Sequence, residues 1–546
     1  EKKMPSFSPT ADDLQLLAAI NNAIRVGSLN SEQATSLDVL FTKSTFPKYY
    51  LRLILVLYAP ENNRILVTRA SRKSRPLFSS LVMSLLTHPR CRTLANLPFR
   101  LQMDFVLEPP RPVNLFEVGM TQRGERHFEI GLEGLLYLSP EGKLSVFLPG
   151  DAFVRSIMGM GQLRDYLKKH LGEDYIRKAS FERFHSESYL SAPQTWLRLY
   201  RGYPVVGALT KKKIEHALEL AIGHIQRTQG KDGKFLYYYD AARDTRWDHE
   251  HPNRDPDKNP YYNILRHAGG GLTCLYYEKY AKTGKTISNI RLTIDFLVKH
   301  TRYQDYAGRT GGYIYSERKA KLGGTGVALY LAADYQLLTR DDRYQTWANQ
   351  LAWHLINQIT STGEFIYYNI YLDKTISEAE NQKYFSFYYP GEAICGLAKY
   401  LHLIPHDQRK IYFDKLHKAL EFLLDVRPVT RASEYTIVPS DSWLMMSIME
   451  LWDFPEMQDQ KNADFVFSDA EKMISDAPYP DYAGAFFYNF GDYPYADGAR
   501  CEGLLGAHQL AVKLNDQHRA RYLSAALRLA TWSLMNLVNT PDAVYF

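Results

Sequence analysis

Three carboxylates in the C-terminal part of this sequence stand at similar places in a recurring pattern. Glu392 follows Tyr388-Tyr389-Pro390-Gly391, Asp441 precedes Ser442-Trp443-Leu444, and Glu502 follows Arg500-Cys501. Each opens a segment whose apolar residues recur at helical spacing, and Asn263, Arg266 and His267 open another. Cleavage of a glycosidic bond needs one carboxyl held protonated to donate to the leaving oxygen, and a second held ionised to activate water or attack. Asp441, Glu502 and Glu392 can supply both roles. Tyr388, Tyr389 and Trp443 offer rings on which a sugar stacks, Asn263 and His267 offer hydrogen bonds, and Arg266 or Arg500 can pair with an acidic sugar's carboxylate. Singly, each has an architectural reading as well. Asp441 suits a helix N-cap, Glu392 and Glu502 suit the positive end of a helix dipole, the arginines suit partners for these acids, and His267 suits a hydrogen-bonded core. Only convergence lifts the set above its members, and convergence requires that the helices start at one rim.

The pattern beyond about residue 205 is of that kind. Six helices with polar outer faces are expected at 211–228, 288–300, 344–360, 409–426, 463–475 and 518–539. Five others, rich in small and apolar residues, alternate with them at 264–281, 324–338, 391–403, 442–451 and 500–514. A helix apolar on nearly all sides is enclosed by others, so the second set is expected to form an inner ring. A short repeat, Gly-x-aromatic-apolar-Tyr, supports the pairing: Gly233 to Tyr237, Gly311 to Tyr315, Gly363 to Tyr367 and Gly484 to Tyr488, with a degraded copy at Ser433 to Ile437. Each lies between an outer and an inner helix, so the tyrosines are expected to line one rim of a toroidal array.

Residues 1–195 mix helix and strand, as in an α+β domain. A hairpin is expected around Pro60-Glu61-Asn62-Asn63, a helix at 77–87, a half-buried strand at 99–105 ending before Pro109-Pro110, and a second hairpin turning at Pro140-Glu141-Gly142. Pro193, Gly202 and Pro204 mark a linker to the helical part, residues 205–546. The whole is a multidomain chain, α+β and then all-α.

Two resemblances attach to these residues. Gly131-Leu-Glu-Gly-Leu-Leu-Tyr137, the strand ending Val146-Phe-Leu-Pro149, the helix around 163–171, Phe184-His-Ser-Glu-Ser-Tyr189, and upstream His88-Pro-Arg-Cys91 and Leu107-Glu-Pro-Pro110 resemble the AMMECR family domain. That family's Arg-Gly-Cys-Ile-Gly signature is absent, and Arg69-Ala-Ser-Arg-Lys-Ser74 stands in its place. The resemblance therefore implies a fold and no activity. Asn263 to Ala268, Tyr389 to Ala393, Asp441 to Leu444 and Arg500 to Gly503 resemble the inner-helix starts of the (α/α)6 toroids of glycoside hydrolases, polysaccharide lyases and sugar epimerases, which implies carbohydrate processing.

Composition narrows the remainder. With 66 Lys+Arg against 60 Asp+Glu over 546 residues, the net charge of +6 is too dilute for nucleic acid. No apolar run reaches the ~18–20 residues that cross a bilayer. The 40 tyrosines suit sugar-stacking surfaces. Cys91, Cys274, Cys395 and Cys501 form no CxxC, and the inner-helix cysteines read as small buried residues. Asp248-His-Glu-His251 with Asp255 and Asp257 has ligand residue types at a spacing better suited to a solvated loop, so no metal and no cofactor is expected. The absence of an initial Met suits a processed exported protein, periplasmic or extracellular, or a trimmed one, and the cytoplasm stays open. The expectation is a polysaccharide-processing enzyme, a glycoside hydrolase with a carboxylate pair in an aromatic funnel. The alternatives are a lyase or epimerase, or a non-catalytic glycan-binding or scaffold protein of exopolysaccharide biosynthesis.

Overall fold

The computed structural model describes residues 5–61, 63–71, 77–117, 127–155, 157, 159–240, 244–369, 376–437, 441–475 and 498–535. They divide into two compact units, one containing residues 5–208 and the other 209–475 with 498–533.

The first unit is built on an antiparallel sheet of nine strands: β1 (Arg52–Ala59), β2 (Asn63–Ala70), β3 (Arg100–Val106), β4 (Arg111–Val113), β5 (Glu133–Leu138), β6 (Leu144–Phe147), β7 (Phe181–Ala192), β8 (Thr195–Tyr200) and β9 (Tyr203–Pro204). β1 and β2 form the first expected hairpin, with Arg52 opposite Ala70. The long β7 is central. β3 and β4 pair along one edge of it, either side of the Pro109-Pro110 break, and β5 and β8 pair along the other. Two expectations change here. β3 reads as a strand with one wet face, yet all seven residues are buried, because both faces are covered. Leu101, Met103 and Phe105 join the core under helices Ala11–Val26, Ser31–Lys43 and Phe78–Leu86, while Val106 joins Ile54, Val56 and Leu136 opposite. The expected linker is also ordered, since β8 and β9 continue the sheet to Pro204. Pro204 is accepted there because a terminal two-residue strand need not donate from its nitrogen.

The second unit is helical. Outer helices run over Lys211–Thr228, Ile287–Lys299, Gln345–Asn357, His406–Glu421, Gln460–Ser475 and Arg519–Met535. The inner helices are, in order, Ile264–Ala281, Leu322–Thr339, Tyr389–Leu401, Ser442–Leu451 and Gly498–Lys513. The second is buried without interruption from Leu322 to Tyr335, as a helix enclosed on all sides must be. Small residues let the inner helices approach backbone to backbone. A Cβ on Gly326 would lie 2.6 Å from the Ala393 nitrogen, and one on Gly391 would lie 2.6 Å from the Leu444 nitrogen. Gly503 in turn faces Ser442, and Lys279 meets Asp334. Early residues meet early residues, and Lys279 near the end of one helix meets Asp334 in the later part of the next, so these inner helices run parallel.

The repeat is visible in the backbone of two copies. Gly233 and Gly363 have φ of 94° and 90°, and a Cβ at either would strike a carbonyl of an outer helix, Leu292 O at 2.4 Å and Lys418 O at 2.2 Å. Both therefore need glycine's freedom at positive φ. The second copy differs: Gly311 lies in strand Arg309–Ile314, which pairs with Thr301–Tyr306. The degraded copy is no strand at all, since Glu434–Ile437 is a helical turn. The fourth copy, Gly484 to Tyr488, lies outside the described residues.

Candidate active site

The parallel inner helices bring their first turns to one end, and the three carboxylates share that level. Gly391 stands beside Leu444, and Gly503 beside Ser442. Their environments differ sharply. Asp441 is wholly buried, with every oxygen engaged. Oδ1 accepts from the Leu444 nitrogen at 3.1 Å, and Oδ2 accepts from the Arg427 guanidinium at 3.2 Å. Its own nitrogen donates to Asp469 at 2.9 Å. Arg427 has no exposure and also donates to Phe387 O at 2.9 Å and to the Tyr435 hydroxyl at 3.0 Å. Burial pushes the Asp441 carboxyl up to about 6 against the pull of Arg427. This is a helix cap held by a buried ion pair.

Glu392, 4% exposed, is the opposite case. Its Oε2 is buried without a hydrogen-bond partner among the described residues and presses on Gly323, where a Cβ would come within 1.7 Å. Burial, with a smaller contribution from Asp441, pushes the carboxyl up to about 8. Glu502 reaches solvent, yet the surrounding protein raises it to about 7 by desolvation. Glu392 and Asp441 feel one another electrostatically, whereas desolvation alone accounts for the shift at Glu502.

The other expected residues separate into rim and frame. Arg266 is exposed and donates to the Tyr237 hydroxyl at 3.1 Å. Tyr237 meets Tyr261 edge-on at 5.5 Å, and half-buried Tyr389 lies close enough to Tyr368, Tyr261 and Glu392 to feel their charges. Asn263 caps its helix, accepting from the Leu265 nitrogen at 3.1 Å. His267, expected to bind substrate, turns away into the core. Its Nδ1 accepts from the Tyr262 hydroxyl at 2.6 Å, and its Nε2 donates to Thr293 O at 3.0 Å. Burial lowers it to about 4, so it is a neutral packing histidine. Arg500 is buried, and Tyr388 and Trp443 are half-buried beside their own helix starts. Of the repeat tyrosines, Tyr237 belongs to the rim. Tyr315 is stacked under Arg302, 3.5 Å from the ring centre, and Tyr367 is fully buried with its hydroxyl on Glu364.

A second polar cluster lies deeper between the inner helices and is absent from the sequence reading. Tyr276, 39% exposed, donates to the Tyr330 hydroxyl at 3.2 Å, and Tyr330 donates to Glu450 at 3.3 Å. Lys399 holds the other Glu450 oxygen at 2.8 Å and lies 4.0 Å from Asp334, which Lys279 also contacts. Tyr276 and Cys395 both feel Glu502, so the cluster opens toward that carboxyl. The signal for it was available: charges toward the C-terminal ends of otherwise apolar inner helices must be paired to be buried.

The Asp248 loop brings ligand atoms of Asp248, Glu250 and His251 within 4.8 Å of one another. Asp248 is already occupied by the Glu250 nitrogen at 2.9 Å and by His251 Nδ1 at 2.8 Å, so the turn itself accounts for the grouping. Cys274 and Cys395 are buried, as expected of small helix residues. Among the described residues no helix is long and apolar enough to cross a membrane.

No family model matches the chain, and no curated protein matches it. Solved structures are similar in part. An α-1,6-mannanase of Salegentibacter sp. HEL1_6 is 16% identical with a TM-score of 0.33, over 60% of this chain and 90% of that one. A D-mannose isomerase is 10% identical with a TM-score of 0.42, over 62% and 90%. The cellobiose 2-epimerase of Spirochaeta thermophila DSM 6192 is 13% identical with a TM-score of 0.37, over 62% and 90%. Likeness of this degree decides neither the fold nor the activity of this chain.

Proposed function

We propose that the helical unit is a carbohydrate-processing enzyme of the (α/α)6-toroid kind, acting as a glycoside hydrolase, with Glu392 as proton donor and Glu502 as the carboxylate that activates water or attacks. The observation that carries the reading is the buried Oε2 of Glu392, which has no hydrogen-bond partner among the described residues, on a carboxyl that burial pushes up. A buried polar atom with no partner costs roughly 1–3 kcal/mol. A structural carboxyl would be expected to find a donor, as Asp441 does. Burial raises both acids, Glu392 to about 8 and Glu502 to about 7, which suits a donor and a base that work near neutral pH. Asp441 serves as a positioning residue whose charge helps to keep the proton on Glu392.

The test is turnover of an oligosaccharide panel, read as release of reducing ends, with melting temperature measured on the same samples. Glu392→Gln and Glu502→Gln should each lower turnover by ~10²–10⁴-fold without unfolding the protein. Full activity in both variants would overturn the assignment. Saccharide binding without turnover in the unaltered protein would favour a glycan-binding role instead.

A further inference from the structure

Two glycines of the second inner helix seat Glu392. Gly323 and Gly326 are one turn apart and so share a face of Leu322–Thr339. A Cβ on Gly326 would strike the main chain of the third inner helix, 2.6 Å from both the carbonyl carbon of Glu392 and the nitrogen of Ala393. A Cβ on Gly323 would instead overlap Oε2 of Glu392, 2.9 Å from its Cδ, and would lie 2.8 Å from Cδ1 of Tyr389. Gly324, between them, would meet nothing within 4 Å among the described residues. The side chain that Gly323 lacks is therefore the space that the carboxyl fills. Tyr389 and Glu392 are one turn apart on their own helix, so ring and acid stand side by side against that space. Backbone conformation does not demand glycine here. Gly323 lies in a regular helix without positive φ, where alanine is the better helix former. What glycine supplies is room. Glu392 is 4% exposed, and in a close-packed surrounding a carboxyl evicted from that room has to take another rotamer.

We propose that Gly323 is a positioning residue for the Glu392 carboxyl: its bare Cα opens the slot that holds the acid beside Tyr389, and a side chain there moves the acid away from the place where it reaches a glycosidic oxygen. This rests on the reading of Glu392 as proton donor and adds a residue that acts only through it. The three glycines separate the effects. Gly326 makes room for main chain, Gly324 makes room for nothing among the described residues, and Gly323 makes room for the movable end of one side chain.

Alanine substitutions along this one helix test it, each made in the full chain and read by oligosaccharide turnover and melting temperature, with a crystal structure of Gly323→Ala. Gly323→Ala should keep its melting temperature and lower kcat roughly 10²-fold, with a smaller change in KM. Gly324→Ala should change neither, and Gly326→Ala should lower the melting temperature because backbone cannot give way. Glu392→Asp shortens the acid by one methylene and should itself lower kcat. Combined with Gly323→Ala it should lose no more than it does alone, since the shorter acid no longer needs the space. Losses that multiply in the double variant, unaltered kcat in Gly323→Ala, or a fall in its melting temperature as large as that of Gly326→Ala would each overturn the proposal. The crystal structure decides it independently of turnover: a carboxyl turned out of its slot supports the proposal, and one that has not moved overturns it. Should Glu392→Gln retain full turnover while the carboxyl is displaced in Gly323→Ala, the positioning stands and the reading of Glu392 as donor fails.

Discussion

Asp104 lies in the middle of β3 with no exposure, and three donors converge on it. The Gln102 amide reaches one oxygen at 2.6 Å, and the Ser186 and Ser188 hydroxyls reach the other, Ser186 at 2.8 Å. Glu392, in the first turn of the third inner helix, is almost as deeply buried and leaves one oxygen bare. In both, burial pushes the carboxyl upward. A raised pKa therefore does not distinguish a working acid from a structural one; the count of met hydrogen bonds does. Asp441 falls on the side of Asp104, although its position at a helix start resembles that of Glu392.

The strongest way to break this distinction is through Arg427. Arg427→Met leaves Asp441 buried with its charge unpaired and should cost about 3–5 kcal/mol, seen as a large fall in the denaturant midpoint. A loss below about 1 kcal/mol would mean that Asp441 is not held by this pair. Asparagine at 441 preserves the cap but strands Arg427, so Asp441→Asn should also destabilise, to a lesser degree.

Glu392→Gln tests the other side, and its effect should grow with pH. Burial raises this carboxyl to about 8 in the folded protein, whereas the unfolded chain releases its proton near the ordinary glutamate value of 4.5. Between those values the folded state binds more protons, so unfolding free energy falls as pH rises, by at most about 1.4 kcal/mol per pH unit from this group. Glutamine carries no such proton. The variant should match the unaltered protein near pH 5 and exceed it by a few kcal/mol near pH 8. Asp441 and Glu502 contribute similar slopes in both proteins and cancel in the difference. Parallel stability curves across that range would show that Glu392 is not a suppressed acid. The smallest effect belongs to the satisfied acid: Ser186→Ala removes one of three donors to Asp104 and should cost about 1 kcal/mol, measurable by chemical denaturation. No change at all would imply that Asp104 is over-supplied with donors.

Much of the architecture was legible in residue order because period and composition act locally. The first and fourth inner helices, Ile264–Ala281 and Ser442–Leu451, have the expected limits, and the others differ by a few residues at the ends. Gly233 and Gly363 announced their turns because only glycine fits a positive φ against a neighbouring carbonyl. Alternation in β3 misled, because a period of two says which residues share a face and not whether that face is wet. Arg427 carried no signal either: its segment follows a π-helical turn, Phe422–Val426, and its importance comes from Asp441, fourteen positions on.

What the sequence determined by itself was that carboxylates, arginines and tyrosines stand at the starts of enclosed helices, since helix starts and burial patterns are written in short stretches of chain. Which of those carboxylates is spent on a cap, and which is left with an oxygen that has no partner among the described residues, were decided only in the tertiary structure. Those are properties of pairs drawn from different helices. A hydrogen bond between residues that are distant in the chain depends on helix packing to within about an ångström, the margin within which a donor and acceptor either meet or miss.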